Sequence, residues 1–194
     1  MIRVLGVKLN TLAIEEDLCA AIPTQWLSAW RKAHPTLVRE SARRASLAGL
    51  WLLAGSGAEG TLSYTDMGKP MLSTAAISIT HTKACVFCAV SDDLAPIGLD
   101  AEDLDGRLDA DRRAAMAARW FSADEQKLAS ADAESFYRVW TRKEAVVKMS
   151  GVGLCGVREI NTEDVDCRFY EFRMESTFVT LASVTEKKTI FCIR

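Results

Sequence analysis

One segment constrains this chain more than any other. Ala133 to Ser150 reads as a single long helix, with Asp132 before it as an N-cap and Gly151 as its stop. Trp140, Glu144 and Lys148 are four apart and form one stripe on it, with Lys143 flanking that stripe. On either side the hydrophobic period changes. Ala76 to Thr80, Ala84 to Val90 and Ile97 to Glu102 read as short strands, and Ser91-Asp92-Asp93 is the turn between the last two. Arg168 to Met174, Phe178 to Val184 and Thr189 to Ile193 alternate apolar and polar residues and read as an antiparallel meander. Helices and strands in this order, without regular βαβ alternation, argue for an α+β fold.

The first third reads as helical after an initial strand. Arg39 to Ala54 carries apolar residues at Ala42, Ala45, Leu47, Ala48, Leu50, Trp51 and Leu52, and Gly55-Ser56-Gly57 ends it. Arg43 and Arg44 lie on this helix. Asp66-Met67-Gly68-Lys69-Pro70 is turn-like. A further helix is expected from about Ala110 to Trp120, and Ser122 with Glu125 resembles a capping box opening another. With 194 residues, 49% of them hydrophobic, there is enough apolar material for a well-buried core in one domain or two small ones.

Charge argues against one class of function for the chain as a whole and leaves local basic patches open. Twenty-four basic residues stand against 26 acidic ones, so a global nucleic-acid-binding charge is absent. The N-terminal run is interrupted by Arg3 and Lys8 and lacks a signal-peptide layout. Leu47 to Ala54 is too short to span a bilayer. The expectation is a soluble cytoplasmic protein without a membrane partner. Cys19, Cys85, Cys88, Cys155, Cys167 and Cys192 are then expected to be reduced thiols. Cys85 and Cys88 lie in a strand, where positions three apart face opposite ways, so buried thiols are favoured over a zinc site.

Three constellations carry chemistry. Asp100 and Glu102 project to the same side of a strand. Paired carboxylates repel unless a cation or shared proton compensates, and magnesium prefers oxygen ligands of this kind. The plain alternative is two solvated acids at a strand end, with Asp103 and Asp105 continuing an acidic turn. The Trp140, Glu144, Lys148 stripe is the second; its plain alternative is an ordinary amphipathic helix with one Glu-to-Lys pair. The third is dispersed: Arg44 on a helix, Lys69 before a proline, and His81 after the strand Ile77-Ser78-Ile79-Thr80.

The joint order is more specific than any part. The chain presents an arginine-bearing helix, Gly68-Lys69-Pro70, Ile79-Thr80-His81-Thr82, Ile97-Gly98-Leu99-Asp100-Ala101-Glu102, Trp120-Phe121-Ser122-Ala123-Asp124-Glu125, and Trp140-Thr141-Arg142-Lys143-Glu144-Ala145-Val146-Val147-Lys148. This resembles the 4'-phosphopantetheinyl transferases, in particular the larger monomeric, surfactin-synthetase-activating type. That family shows G-K-P, N-hydrophobic-S-H-S, I-G-x-D-I-E, F-F-S-x-x-E and W-x-x-K-E-A-x-x-K in this order. The match runs from about Arg43 to Gly153. Ser78 stands where the asparagine is expected, Ala101 replaces an isoleucine, and Trp120 replaces a phenylalanine.

The resemblance implies an α+β fold of two similar halves related by a pseudo-twofold, divided here into 1–97 and 98–194, with coenzyme A between them. It implies Asp100, Glu102 and Glu144 as magnesium ligands. Lys148 is the phosphate cation, with Lys143 a weaker candidate for the same role. Arg44 and His81 are expected at the 3'-phosphate, Thr80 at a phosphate, and Lys69 at the nucleotide. Glu144, directly or through a metal-bound water, is the family's candidate base. The implied reaction moves phosphopantetheine onto a serine of an apo carrier protein and releases 3',5'-ADP. Two competing classes are a non-catalytic coenzyme A binder and a magnesium-dependent phosphodiesterase. A basic, partly apolar segment from about Arg107 to Lys127 is the candidate face for an acidic carrier. Asp103 and Asp105 lie beyond the matched motif, and their replacement is expected to be nearly silent.

Overall fold

A computed structural model describes residues 1–104, 108–151 and 154–193. The chain opens with strand β1 (Ile2–Lys8), followed by helices α1 (Glu15–Ala21), α2 (Thr24–Ala33) and α3 (Glu40–Gly55). A short hairpin, β2 (Leu62–Tyr64) and β3 (Pro70–Leu72), leads to β4 (Ile77–His81), β5 (Cys85–Ser91) and β6 (Ile97–Asp103). Three helices come next: α4 (Ala110–Trp120), α5 (Ala123–Ala129) and α6 (Ala133–Ser150). Strands β7 (Arg168–Met174), β8 (Thr177–Ser183) and β9 (Thr189–Ile193) follow. The fold is α+β, as the mixed periodicity implied.

Two sheets form the centre. The first has the order β4-β5-β1-β9 and the second the order β6-β8-β7. Alternation sorts their side chains. In the first sheet, Leu5, Val7, Val86, Cys88 and Val90 pack under α1 to α3. Its other face carries Ile2, Val4, Cys85, Phe87 and Ala89, which meet Ile97, Leu99, Ala101, Val179 and Leu181 of the second sheet. Cys85 and Cys88 thus lie in different cores, and burial pushes the Cys88 thiol up to about 12. The side chain of Cys155 is outside the described set.

The C-terminal meander is corrected. β7 and β8 do pair antiparallel. β9, however, leaves that sheet and pairs parallel to β1, from Ile2 opposite Thr189 to Gly6 opposite Ile193. Lys187 secures the crossing, reaching Ser91 Oγ at 3.1 Å and Asp92 Oδ1 at 2.8 Å and contacting Asp93. The first sheet therefore draws its edge strand from the far end of the chain, across the 97/98 division. Among the described residues, no helix is long and apolar enough to cross a membrane.

The helix boundaries have local causes. Asp132 accepts a hydrogen bond from Ser135 N, and Gly151 takes a left-handed φ of 76° that suits glycine at a helix end. Ser122 and Glu125 form the full capping box that opens α5.

Candidate active site

β6 runs beneath α6 at a distance only glycine permits. A Cβ on Gly98 would lie 1.9 Å from the Ala145 carbonyl oxygen and 2.5 Å from the Met149 nitrogen. Because side chains alternate along a strand, Gly98, Asp100 and Glu102 share the face turned toward α6. The helix answers with its four-residue stripe. Trp140 Nε1 donates to Glu102 Oε1 at 3.2 Å. Lys148 Nζ donates to Asp100 Oδ1 at 2.5 Å and to Thr80 Oγ1 at 3.0 Å. Thr80 Oγ1 in turn donates to Asp100 Oδ1 at 3.4 Å. Glu144 lies between Trp140 and Lys148 on the helix and is buried.

The carboxyl groups are under electrostatic load. Burial and the neighbouring Asp100 charge raise Glu144 to about 7, against the pull of Lys148. Burial, then Asp100 and Glu144, raise Glu102 to about 7 despite Trp140 and Lys148. Asp100 is buried, and among the described residues its Oδ2 has no hydrogen-bond partner. Among the described residues no three His, Cys, Asp or Glu side chains are already gathered as a metal cluster. The donor set still fits a hard cation: three carboxyl groups from one strand and one helix, one with an orphaned buried oxygen.

A cleft of about 250 Å³ opens beside these groups, lined by Gly68, Lys69, Pro70, Ile79, Glu144 and Lys148 among others. It joins the β2–β3 turn, strand β4 and helix α6. Lys69 is half-buried, and its Nζ donates to the Met149 carbonyl at 3.0 Å. Burial lowers its pKa. The expected nucleotide lysine thus also ties the turn to the C-terminal end of α6. Ser78, in place of the expected asparagine, accepts from Leu99 N at 2.9 Å and links β4 to β6.

The other expected residues are more scattered. His81 ends β4 with an exposed side chain, and crowding by protein, then nearby Lys148, lowers its pKa against a backbone bond at Thr82. Arg44 Nη2 donates to the Leu12 and Ala13 carbonyls at 2.8 and 3.5 Å, and its buried Nε has no partner among the described residues. Its fork is engaged with the segment before α1.

Lys143 is corrected. It is fully buried, and its Nζ donates to Glu125 Oε2 at 2.8 Å and to the Ile160 carbonyl. Glu125 Oε1 accepts from both Thr162 N and Thr162 Oγ1, at 2.8 and 3.0 Å. Burial alone would raise Glu125, but Lys143 and the N–H groups of Thr162 and Ser122 bring its pKa below the usual value. One residue is about 100° around a helix, so Lys143 points away from the Glu144 stripe and toward α5. Asp103 is corrected too. It ends β6, is buried, and accepts from Thr177 Oγ1 at 2.8 Å, so it is no solvated turn acid. Asp105 and Arg107 lie outside the described residues.

Two residues of the matched motifs carried no role of their own in the sequence. Gly98 sets the spacing of β6 and α6, and Trp140 orients Glu102. A glycine inside a strand and an indole four residues before Glu144 were the available signals. On α4, Arg112 pairs loosely with Asp109 at 3.8 Å, Arg113 Nη1 donates to the Leu108 carbonyl at 2.5 Å, and Arg119 stacks on Trp120 at 4.8 Å. Arg112 and Arg119 remain exposed.

Comparison with known proteins adds an independent line. Residues 96–188 match a family model described as "4'-phosphopantetheinyl transferase superfamily". A 4'-phosphopantetheinyl transferase from Bacillus subtilis is 31% identical over 129 residues, covering 63% of this chain and 54% of the relative. The 4'-phosphopantetheinyl transferase psf-1 of Bacillus pumilus is 39% identical over 82 residues, covering 40% of this chain and 32% of the relative. The matched part therefore spans about half the length of the first relative and about a third of the second.

Proposed function

From the similarity of this chain to the 4'-phosphopantetheinyl transferase superfamily, we infer that it belongs to that superfamily and transfers the phosphopantetheine arm of coenzyme A to a serine of an apo carrier protein. The observation that carries this reading is the cleft in which Glu144 and Lys148 of α6 meet the Gly68-Lys69-Pro70 turn, beside Asp100 and Glu102. A pyrophosphate substrate needs such a place, with acids for a divalent cation and an ammonium for a phosphate.

Asp100, Glu102 and Glu144 would hold magnesium. Bound there, the ion would offset the negative charge that builds on the pyrophosphate oxygens. The serine hydroxyl attacks the β-phosphorus. A new phosphorus–oxygen bond forms, the pyrophosphate bond breaks, and 3',5'-ADP leaves with the electron pair. Glu144 takes the serine proton. Lys148 steadies charge on the phosphate. Trp140 keeps Glu102 oriented. Lys69 and the turn around it form the nucleotide wall. Thr80 contacts phosphate through the hydroxyl that now holds Lys148, and His81 meets the 3'-phosphate. Arg44 joins it only by releasing the Leu12 and Ala13 carbonyls. Lys143 is withdrawn from this set, because its ammonium is spent on Glu125.

The carrier docks on α4 and the start of α5, where exposed Arg112 and Arg119 flank half-buried Met116 and Trp120. The working protein is a cytoplasmic monomer without a nucleic-acid or membrane partner. Incubation with coenzyme A, magnesium and a panel of apo carriers tests the reading by intact mass. Carrier mass should rise by one phosphopantetheine with equimolar release of 3',5'-ADP. Coenzyme A cleavage without carrier modification would indicate a phosphodiesterase. Binding with neither product would indicate a non-catalytic relative.

A further inference from the structure

The ammonium of Lys148 is the cation that Asp100 meets in the fold. It lies 2.5 Å from Oδ1, while the buried Oδ2 of the same carboxylate has no partner among the described residues. Lys148 sets its charge against Asp100, Glu102 and Glu144, whose mutual repulsion is otherwise uncompensated. The lysine is also free to leave. Its side chain is 32% exposed, whereas that of Asp100 is 7% exposed, and it borders the open cleft. A lysine stem has four rotatable carbons and carries its charge as a compact point. An ammonium and a divalent ion on one carboxylate repel strongly, so both cannot hold Asp100 at full strength.

We propose that Lys148 is the resident counter-ion of Asp100 in the metal-free chain, and that it yields this carboxylate to the divalent cation when the substrate pyrophosphate draws its ammonium away. The inference rests on the ligand set proposed above. It makes Lys148 a coupling residue as well as a phosphate contact. Cation and nucleotide then bind synergistically, each removing an obstacle to the other, and by linkage the enhancement is equal in both directions.

Calorimetric titration with Mn2+ tests this, first without and then with coenzyme A, with Mn2+ binding to coenzyme A alone subtracted. Without coenzyme A, Lys148→Met should bind Mn2+ about tenfold or more tightly than the wild type, because one nearby unit charge is gone. Lys148→Arg keeps the charge and should keep the weaker affinity. Coenzyme A should tighten Mn2+ binding to the wild type and do so much less for Lys148→Met. Asp100→Asn should lose Mn2+ binding. If Lys148→Met binds no more tightly than the wild type while Asp100→Asn still loses the ion, the counter-ion role is overturned and the ligand set stands. If Asp100→Asn leaves Mn2+ affinity unchanged, the ligand set itself is wrong. Should Lys148→Met fail to fold, the wild type alone decides: Mn2+ affinity indifferent to coenzyme A overturns the proposal.

Discussion

Helix α6 carries two lysines five residues apart, each held by an acid, and they live in opposite surroundings. Lys143 and Glu125 are both 0% exposed, and the carboxylate is closed by the capping N–H of Ser122 and both donors of Thr162. Lys148 is 32% exposed, and its partner Asp100 keeps a buried oxygen with nothing to accept from among the described residues. The difference teaches how to separate a structural ion pair from a functional one. A buried pair survives desolvation only when its remaining donors and acceptors are filled, and that filling fixes it in place. A pair left incomplete beside a cleft stores unmet demand for a ligand. The family resemblance made both lysines candidates for the phosphate; saturation of their partners tells them apart.

The contrast can be broken by mutating either side. Lys143→Met leaves Glu125 buried without its counter-ion, and unfolding free energy should fall by about 3–5 kcal/mol. Lys148→Met also strips a buried carboxylate of its counter-ion, but water reaches this pair beside the cleft, so the loss should be smaller, about 1–3 kcal/mol. Denaturant titration of both variants checks this. Equal losses would erase the distinction. The double variant Lys143→Met with Glu125→Gln should recover part of the loss, since the orphaned charge is gone while an amide oxygen still accepts from Thr162.

Gly98→Ala attacks the geometry that the Asp100–Lys148 pair depends on. Its methyl would collide with the α6 backbone rather than with a movable side chain. Stability should fall by about 1–3 kcal/mol as the helix shifts. Transfer should fall further than stability explains, because Asp100 and Lys148 separate. Kinetics at a temperature where the variant is fully folded measures the two effects apart.

How far this was legible in the sequence depends on the kind of information. The face shared by Asp100 and Glu102 follows from two-residue alternation, and the Trp140, Glu144, Lys148 stripe from helical spacing. Those two local rules point both sets at one another, and the structure brings them together. The direction of Lys143 obeyed the same helical rule, but its partner Glu125 lies in another element, and a sequence shows no contact of that range. The destination of β9 was hidden for a similar reason. Alternation in Thr189 to Ile193 identifies a strand, not its neighbour, and β1 is nearly the whole chain away. The β2–β3 hairpin has three residues per strand, too few for any periodicity to show. Asp103 read as part of an acidic turn because charge suggests solvent, while its bond to Thr177 lies 74 positions distant.

The incomplete side should also respond to pH. Glu102 and Glu144 lie at about 7 in the fold, above the ordinary value of 4.5. A raised folded pKa means that protonation favours the fold. That contribution is fully present below about 4.5 and is lost as pH rises through about 7. A bound cation removes the repulsion of the ionised groups. Magnesium should therefore raise the melting temperature by about 2–4 °C more at about pH 8 than at about pH 6. Thermal melts with and without magnesium at both values check the sign. An equal shift at both would separate magnesium from these carboxyls.

The smallest effect belongs to the docking face. Arg112→Glu should raise the carrier KM by about three- to tenfold at low salt, with the change fading as salt screens it. Arg113→Glu should act less on docking, because Arg113 is engaged with the Leu108 carbonyl. Coenzyme A affinity should not move in either variant. An unchanged carrier KM at low salt would shift docking to another face.

Glu144→Gln measured for transfer and melting together probes the unsaturated half of α6 most directly. Glutamine keeps the shape and removes the charge that would hold a cation and take the serine proton. Carrier modification by intact mass should fall by about three orders of magnitude, with the melting temperature unchanged or slightly raised as the repulsion with Asp100 disappears. Near wild-type transfer from Glu144→Gln would contradict the account, and the helix stripe would then be a packing surface with no part in the chemistry.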